Sequence, residues 1–187
     1  MHKKVMSLMA MQPLFLSVRE RWDIQPATAF LTTRVRLPDE DNWGEVKRVL
    51  CYLKGTLHMP LILLADSLML SRWWMDAACA VHDDCRGHTG AGMSFDQGMA
   101  LSYSWKQKIN TKSSTEAELV GVDDSLGYII WARYFMIEQE QGYDMDPSLL
   151  YQDNMSNILL ETNRRASSSK WTKHIKVKYF LDLIGRR

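Results

Sequence analysis

From residue 71 onward the hydrophobic period of this chain commits it to a sheet with a helix laid across it. Residues 71–75, 91–95 and 100–105 read as strands. A turn-rich stretch over 83–90 and the run Asp96-Gln97-Gly98 separate them, so the three form an antiparallel meander. Ser113 and Glu116 then stand as N-cap and N3 of a capping box. Leu119, Val122, Leu126, Ile129, Ile130, Arg133 and Ile137 follow at helical spacing, and the helix is expected to end near Gln141-Gly142. Residues 148–152 read as a fourth strand, 154–161 as a helix that begins directly after it, and 173–183 as a last helix. A helical crossover after a meander implies an α/β mixed sheet, with one parallel strand and packed helices.

Residues 1–66 read differently, as helical and connective. Residues 27–31 are a short apolar run. Residues 38–42 form a turn with capping residues, and a helix follows over 43–54. Trp43, Val46, Val49, Leu50 and Leu53 make its apolar stripe, and Gly55 is expected to end it. Residues 61–64 read as a short strand. Two domains are therefore expected, 1–66 and 67–187.

Composition narrows the class. Of 187 residues, 46% are hydrophobic and 24% charged, which fits a packed core and excludes disorder, collagen and coiled coil. No apolar run reaches about 18 residues, so no membrane span is expected. The N-terminus opens like a signal peptide, but Gln12, Pro13 and Arg19-Glu20-Arg21 interrupt it, and an intracellular location is expected. The net charge of +1 conceals an asymmetry. Residues 164–187 hold eight Lys and Arg against Asp182 alone, and the rest of the chain is acidic. A basic tail of this kind suits a polyanionic partner, and it suits a solvated tail equally.

Three cysteines are too few and too odd in number for a disulfide framework. Cys79, His82, Cys85 and His88 recur every third residue as potential zinc ligands. Structural zinc sites pair their ligands across a longer loop, and strand positions three apart point to opposite faces, so zinc is disfavoured.

Three carboxylates stand out by position. Asp76 is expected at the end of the first strong strand, Glu118 in the first turns of the long helix, and Asp153 at the end of the fourth strand. If strands one and four are parallel neighbours, Asp76 and Asp153 emerge at one sheet edge. Glu116 and Glu118 lie about 200° apart around a helix, so only one can face that edge. Glu116 is claimed by the capping box, which leaves Glu118. Close carboxylates repel unless a cation neutralises them, and Mg²⁺ or Mn²⁺ is the natural hard cation for oxygen ligands. Taken singly, Asp76 and Asp153 read better as a strand-end turn or helix cap, and the metal reading rests on all three together.

Several segments resemble, in order, motifs of copia-type retrotransposon Pol polyproteins. They are residues 46–56, Arg86-Gly87-His88-Thr89-Gly90, Ser102-Tyr103-Ser104-Trp105-Lys106-Gln107-Lys108, Lys112-Ser113-Ser114-Thr115-Glu116-Ala117-Glu118, Tyr151-Gln152-Asp153-Asn154-Met155-Ser156, and Thr172-Lys173-His174-Ile175-Lys176. In that family such segments span the connection region after reverse transcriptase and the ribonuclease H domain.

The resemblance implies a ribonuclease H-like mixed sheet preceded by a helical connection segment. It also implies metal-dependent cleavage of the RNA strand of RNA–DNA hybrids. Asp76, Glu118 and Asp153 match the first three metal-binding carboxylates, for Mg²⁺ or Mn²⁺. Ser114, Thr115, Lys106, Lys108, Asn154, Lys173 and Lys176 are the expected nucleic-acid contacts, and the reverse transcriptase portion of the parent polyprotein is an expected partner. The family's domain continues into a fifth strand and a helix carrying a fourth acidic ligand. Those elements are expected to be missing here, where Asp182 is the tail's one acid. The alternative is a catalytically inactive nucleic-acid-binding remnant. Asp83-Asp84 follows Val81-His82 rather than an apolar hairpin, which argues against a polymerase centre.

Overall fold

A computed structural model describes residues 3–66, 70–139 and 148–153. The N-terminal part is helical. Helix α1 spans Lys3–Arg19, a 3₁₀ turn spans Trp22–Ile24, α2 spans Gln25–Arg34 and α3 spans Glu40–Gly55. Their shared core is Ala10, Ile24, Leu31, Val46 and Val49, with Trp43 and Leu53 packed against it. Leu50, expected in that stripe, is exposed. Asp39 caps α3 by accepting from Asn42 N, and the Asn42 side chain accepts from Asp39 N in return. The helix therefore begins three residues earlier than the apolar stripe suggested. It includes Gly55, and Thr56 closes it by donating to the Leu53 carbonyl.

Strand β1 spans Leu64–Ala65, β2 Arg72–Ala78, β3 His88–Ser94, β4 Asp96–Gln97 and β5 Leu101–Lys106; α4 spans Ser114–Gln139 and β6 Leu149–Tyr151. The main sheet has the order β5-β3-β2-β6. The β2–β3 and β3–β5 pairs are antiparallel, and β2–β6 is parallel, as the crossover through α4 requires. The meander plus one parallel strand is the mixed α/β sheet read from the sequence. The short strand near residue 61 lies slightly later than expected and pairs with β4, which the sequence left as part of a turn. Gly98 permits that turn: its φ is +72°, and a Cβ there would lie 2.0 Å from the Ile62 carbonyl oxygen.

Side chains of β2 alternate strictly. Trp73, Met75 and Ala77 are buried, while Trp74, Asp76 and Ala78 are exposed. The buried set meets α4 through two clusters. Met75, Ala77, Ala91, Ala117, Val122 and Leu126 form one, and Trp73, Met93, Ile129 and Ala132 the other. Small residues bring the helix close. A Cβ on Gly121 would lie 2.8 Å from Met75 Sδ and 3.3 Å from Thr89 Cγ2.

The N-terminal helices reach the opposite face. The Gln25 side chain donates to the Ser102 carbonyl and accepts from the Ser102 hydroxyl. Phe30 stacks on His82 and on His88, each with ring centroids 4.5 Å apart. The central strand β3 is thus covered on both sides, and six of its seven residues are buried. Among the described residues, coverage stops before β2 and β6. A cleft of about 560 Å³ remains there, floored by Gly90 and Gly92 and lined by Trp22, Trp74, Tyr151 and Asp153.

The expected helices over 154–161 and 173–183, and the end of the long helix, lie outside the described residues. Among the described residues no helix is long and apolar enough to cross a membrane.

Candidate metal centre

The parallel register builds the site. Trp74 pairs with Tyr151 at the end of the β2–β6 ladder, and their rings stack at 5.3 Å. Two residues beyond Trp74, on the same face of β2, comes Asp76, and two residues beyond Tyr151, just past the end of β6, comes Asp153. The sequence reading puts Asp76 at the end of its strand, but β2 continues through Ala77 and Ala78 beside β3. What ends is β6, at Tyr151. Past that point the Ala77 N–H has no strand to pair with on the β6 side, and Glu118 Oε1 accepts from it at 3.2 Å. Glu118 reaches this spot from α4. One carboxylate oxygen from each of Asp76, Glu118 and Asp153 lies within 4.8 Å of the others.

Glu116 points elsewhere. Its N–H donates the cap bond to Ser113 Oγ at 3.1 Å, and its carboxylate accepts from Lys112 N at 2.6 Å. The capping box is therefore half formed, with Lys112 N–H in the place expected for the N-cap N–H. Glu118 is the glutamate brought to the two aspartates.

The electrostatics are unbalanced. Glu118 is buried, and among the described residues its Oε2 has no hydrogen-bond donor. Burial pushes the Glu118 carboxyl up to about 7; the neighbouring Asp76 and Asp153 carboxylates add to this, against the Ala77 N–H. A buried carboxyl group beside two exposed ones is settled by a proton or by a cation. The donor set is all carboxylate, which fits Mg²⁺ or Mn²⁺ and does not fit a thiophilic metal.

The remaining predicted contacts are spread around this end of the sheet. Ser114 and Thr115 open α4. Lys106 is the last residue of β5, and its ammonium pairs with Asp84 at 2.7 Å. Lys108 is exposed in the loop that follows. Asn154, Lys173 and Lys176 lie outside the described residues.

The Cys and His set divides. His82 Nε2 and His88 Nδ1 hydrogen-bond each other at 3.0 Å, and His88 Nε2 bonds Ser104 Oγ at 2.7 Å. Cys79 Sγ sits against Thr111, and Cys85 is exposed. Burial holds the His88 imidazole down at about 4, with the His82 charge adding to the effect. The stacking of Phe30 on this pair was not foreseen. The exposed Trp74–Tyr151 stack was also missed. Its one sequence signal is an aromatic two residues before each aspartate.

No family model matches the chain, and no solved structure matches it. The retrovirus-related Pol polyprotein from transposon TNT 1-94 of Nicotiana tabacum is 29% identical over 167 residues. That alignment covers 89% of this chain and 12% of the relative. The retrovirus-related Pol polyprotein from transposon RE2 of Arabidopsis thaliana is 29% identical over 161 residues, covering 85% of this chain and 11% of the relative. The chain thus spans about one-eighth of the length of the curated relatives it matches. The copia-type resemblance read from the motifs is borne out: over most of its length the chain is similar to a segment of retrotransposon Pol polyproteins.

Proposed function

We propose that this chain is a ribonuclease H-like unit of a retrotransposon Pol polyprotein that binds Mg²⁺ or Mn²⁺ and cleaves the RNA strand of RNA–DNA hybrids. The observation that carries the reading is the convergence of Asp76, Glu118 and Asp153, with one oxygen of each inside 4.8 Å. Residues 1–66 form the connection segment of this reading and 67–187 its catalytic domain. Neighbouring segments of the polyprotein, including a reverse transcriptase, are its expected partners.

The chemistry that such ions supply is activation of water and stabilisation of the leaving oxygen in an in-line displacement. The protein's part is placement. Glu118 is anchored by the Ala77 N–H and offers Oε2 from a dry position. Asp76 and Asp153 face solvent, where a phosphodiester has access. Ser114, Thr115 and Lys108 line the approach to a nucleic-acid backbone, and Lys106 joins them by exchanging Asp84 for phosphate. Hybrid recognition of this kind reads shape and backbone, with little base readout.

The test uses the purified chain and a labelled RNA–DNA hybrid, with Mg²⁺, with Mn²⁺ and with chelator, beside duplex DNA and duplex RNA. Cutting confined to the RNA strand of the hybrid, dependent on metal and lost in Asp153→Asn, is expected. Salt-sensitive hybrid binding without cutting by a folded chain supports the inactive remnant instead. Cleavage unchanged by Asp153→Asn overturns the reading.

A further inference from the structure

We propose that Gln107 is the positioning residue of this centre: it ties the peptide that carries Glu118 to the strand on which Glu118 lands. The inference rests on the metal reading above for its consequence, and on geometry alone for its content.

Gln107 follows β5 directly and is fully buried. Its Nε2 donates to the Ala117 carbonyl at 2.8 Å and to Thr89 Oγ1 at 3.0 Å. The Ala117 carbonyl belongs to the same peptide unit as the Glu118 N–H. Thr89 is the register partner of Ala77, the residue whose N–H holds Glu118 Oε1. One amide group therefore grips both sides of the gap that the Glu118 side chain spans.

The amide has a single usable orientation. A backbone carbonyl only accepts, so the NH₂ must face Ala117. The oxygen is then left buried without a partner. It is pressed against Gly87, where a Cβ would lie 2.3 Å from Oε1. Backbone pairing fixes the stem as well, with Gln107 N donating to the Gly87 carbonyl at 2.9 Å. A buried orphan oxygen is costly, and an apolar side chain of the same size would avoid it. The two donated bonds account for an amide at this position. They set how far α4 stands from β2 at the turn that presents Glu118.

Two readouts test this on the full chain. The first needs no metal. The Ala77 amide proton, bonded to a carboxylate, is expected to resonate downfield in the wild type. In Gln107→Leu it is expected to move upfield by at least half of the shift produced by Glu118→Ala. A folded Gln107→Leu chain with an unmoved Ala77 amide overturns the proposal. Thr89→Val removes one of the two anchors at nearly constant volume. It is expected to move the same proton in the same direction, and it decides the matter if Gln107→Leu does not fold.

The second readout is Mn²⁺ affinity by titration. Gln107→Leu is expected to weaken binding about tenfold, the usual cost of losing an outer support of a metal ligand. In a Glu118→Gln background the same change is expected to have no further effect, because Gln107 acts through Glu118. A full, additive tenfold loss in that background overturns the positioning role. A wild type that binds no Mn²⁺ while its Ala77 amide responds to Gln107→Leu overturns the metal reading and leaves the positioning role standing.

Discussion

Asp76→Asn should make the metal-free protein more stable while removing its response to metal. At pH 8, above the Glu118 value of about 7, three carboxyl groups share a space in which one oxygen of each lies within 4.8 Å of the others. Two unit charges at 4.8 Å repel by about 0.9 kcal/mol at the dielectric constant of water. Asp76 faces two such neighbours. Both aspartates are exposed, so screening reduces the sum to about 1 kcal/mol. A gain of that size raises Tm by roughly 2–4 °C in a chain of this length. The comparison is a melt of wild type and Asp76→Asn in chelator at low ionic strength. The advantage should shrink in about 1 M salt, where the screening length falls to about 3 Å. In Mn²⁺ at about a hundred times its Kd the wild type should gain about 2.7 kcal/mol, and the variant much less, so their order reverses. If Asp76→Asn is no more stable than wild type in chelator, the three charges are not held together and the cluster is not a site.

The metal-free pH profile should show two opposing slopes. Glu118, raised to about 7 in the fold, contributes stability that is complete below its unfolded value of 4.5 and lost as pH rises through 7; Glu118→Gln should abolish that loss of up to about 2 kcal/mol after screening. His88, held down at about 4, contributes stability that is complete above 6.5 and lost as pH falls towards 4. Urea midpoints measured in chelator over pH 4–8 separate the two, and a His88→Gln chain should flatten the acid side. Gly121→Ala places a Cβ 2.8 Å from Met75 Sδ, and overpacking should lower stability by about 1–2 kcal/mol net of the gain in helix propensity. An unchanged urea midpoint would mean that α4 does not press on β2 there. Asp39→Ala removes the cap of α3 and should cost about 1 kcal/mol in the same assay, with no change in Mn²⁺ affinity.

The centre was legible because its parts are local signals. A strand, a capped helix and a second strand each carry an acid at a readable position, and a helical crossover makes the outer two strands parallel. The choice of Glu118 over Glu116 follows from helix geometry, and the Ser113 cap bond agrees with it. What could not be read depends on register. Asp76 lies inside β2 because β3 outlasts β6 beside it, and no property of residues 71–78 encodes the length of its neighbours. Gln107 lies in the segment 102–108, whose pattern gives it no role. Its two partners are Thr89, 18 residues away, and Ala117, 10 residues away, and they meet only once helix and sheet dock. The same holds for Phe30 against His82 and His88, since the docking of α2 on the sheet is a contact between distant segments with no periodic trace.

Strand alternation has a practical consequence at the dipeptide Trp73-Trp74. One indole is sealed in the core beneath α4 and the other stands in water two residues from Asp76. With the five other tryptophans of the chain replaced by phenylalanine, their emission should differ in colour, blue for the first and red for the second. A paramagnetic ion at the carboxylates should quench the red component and leave the blue one untouched. Loss of the fold should shift the blue component instead. Two adjacent residues thus act as separate optical channels, one reading occupancy of the centre and the other integrity of the core that supports it.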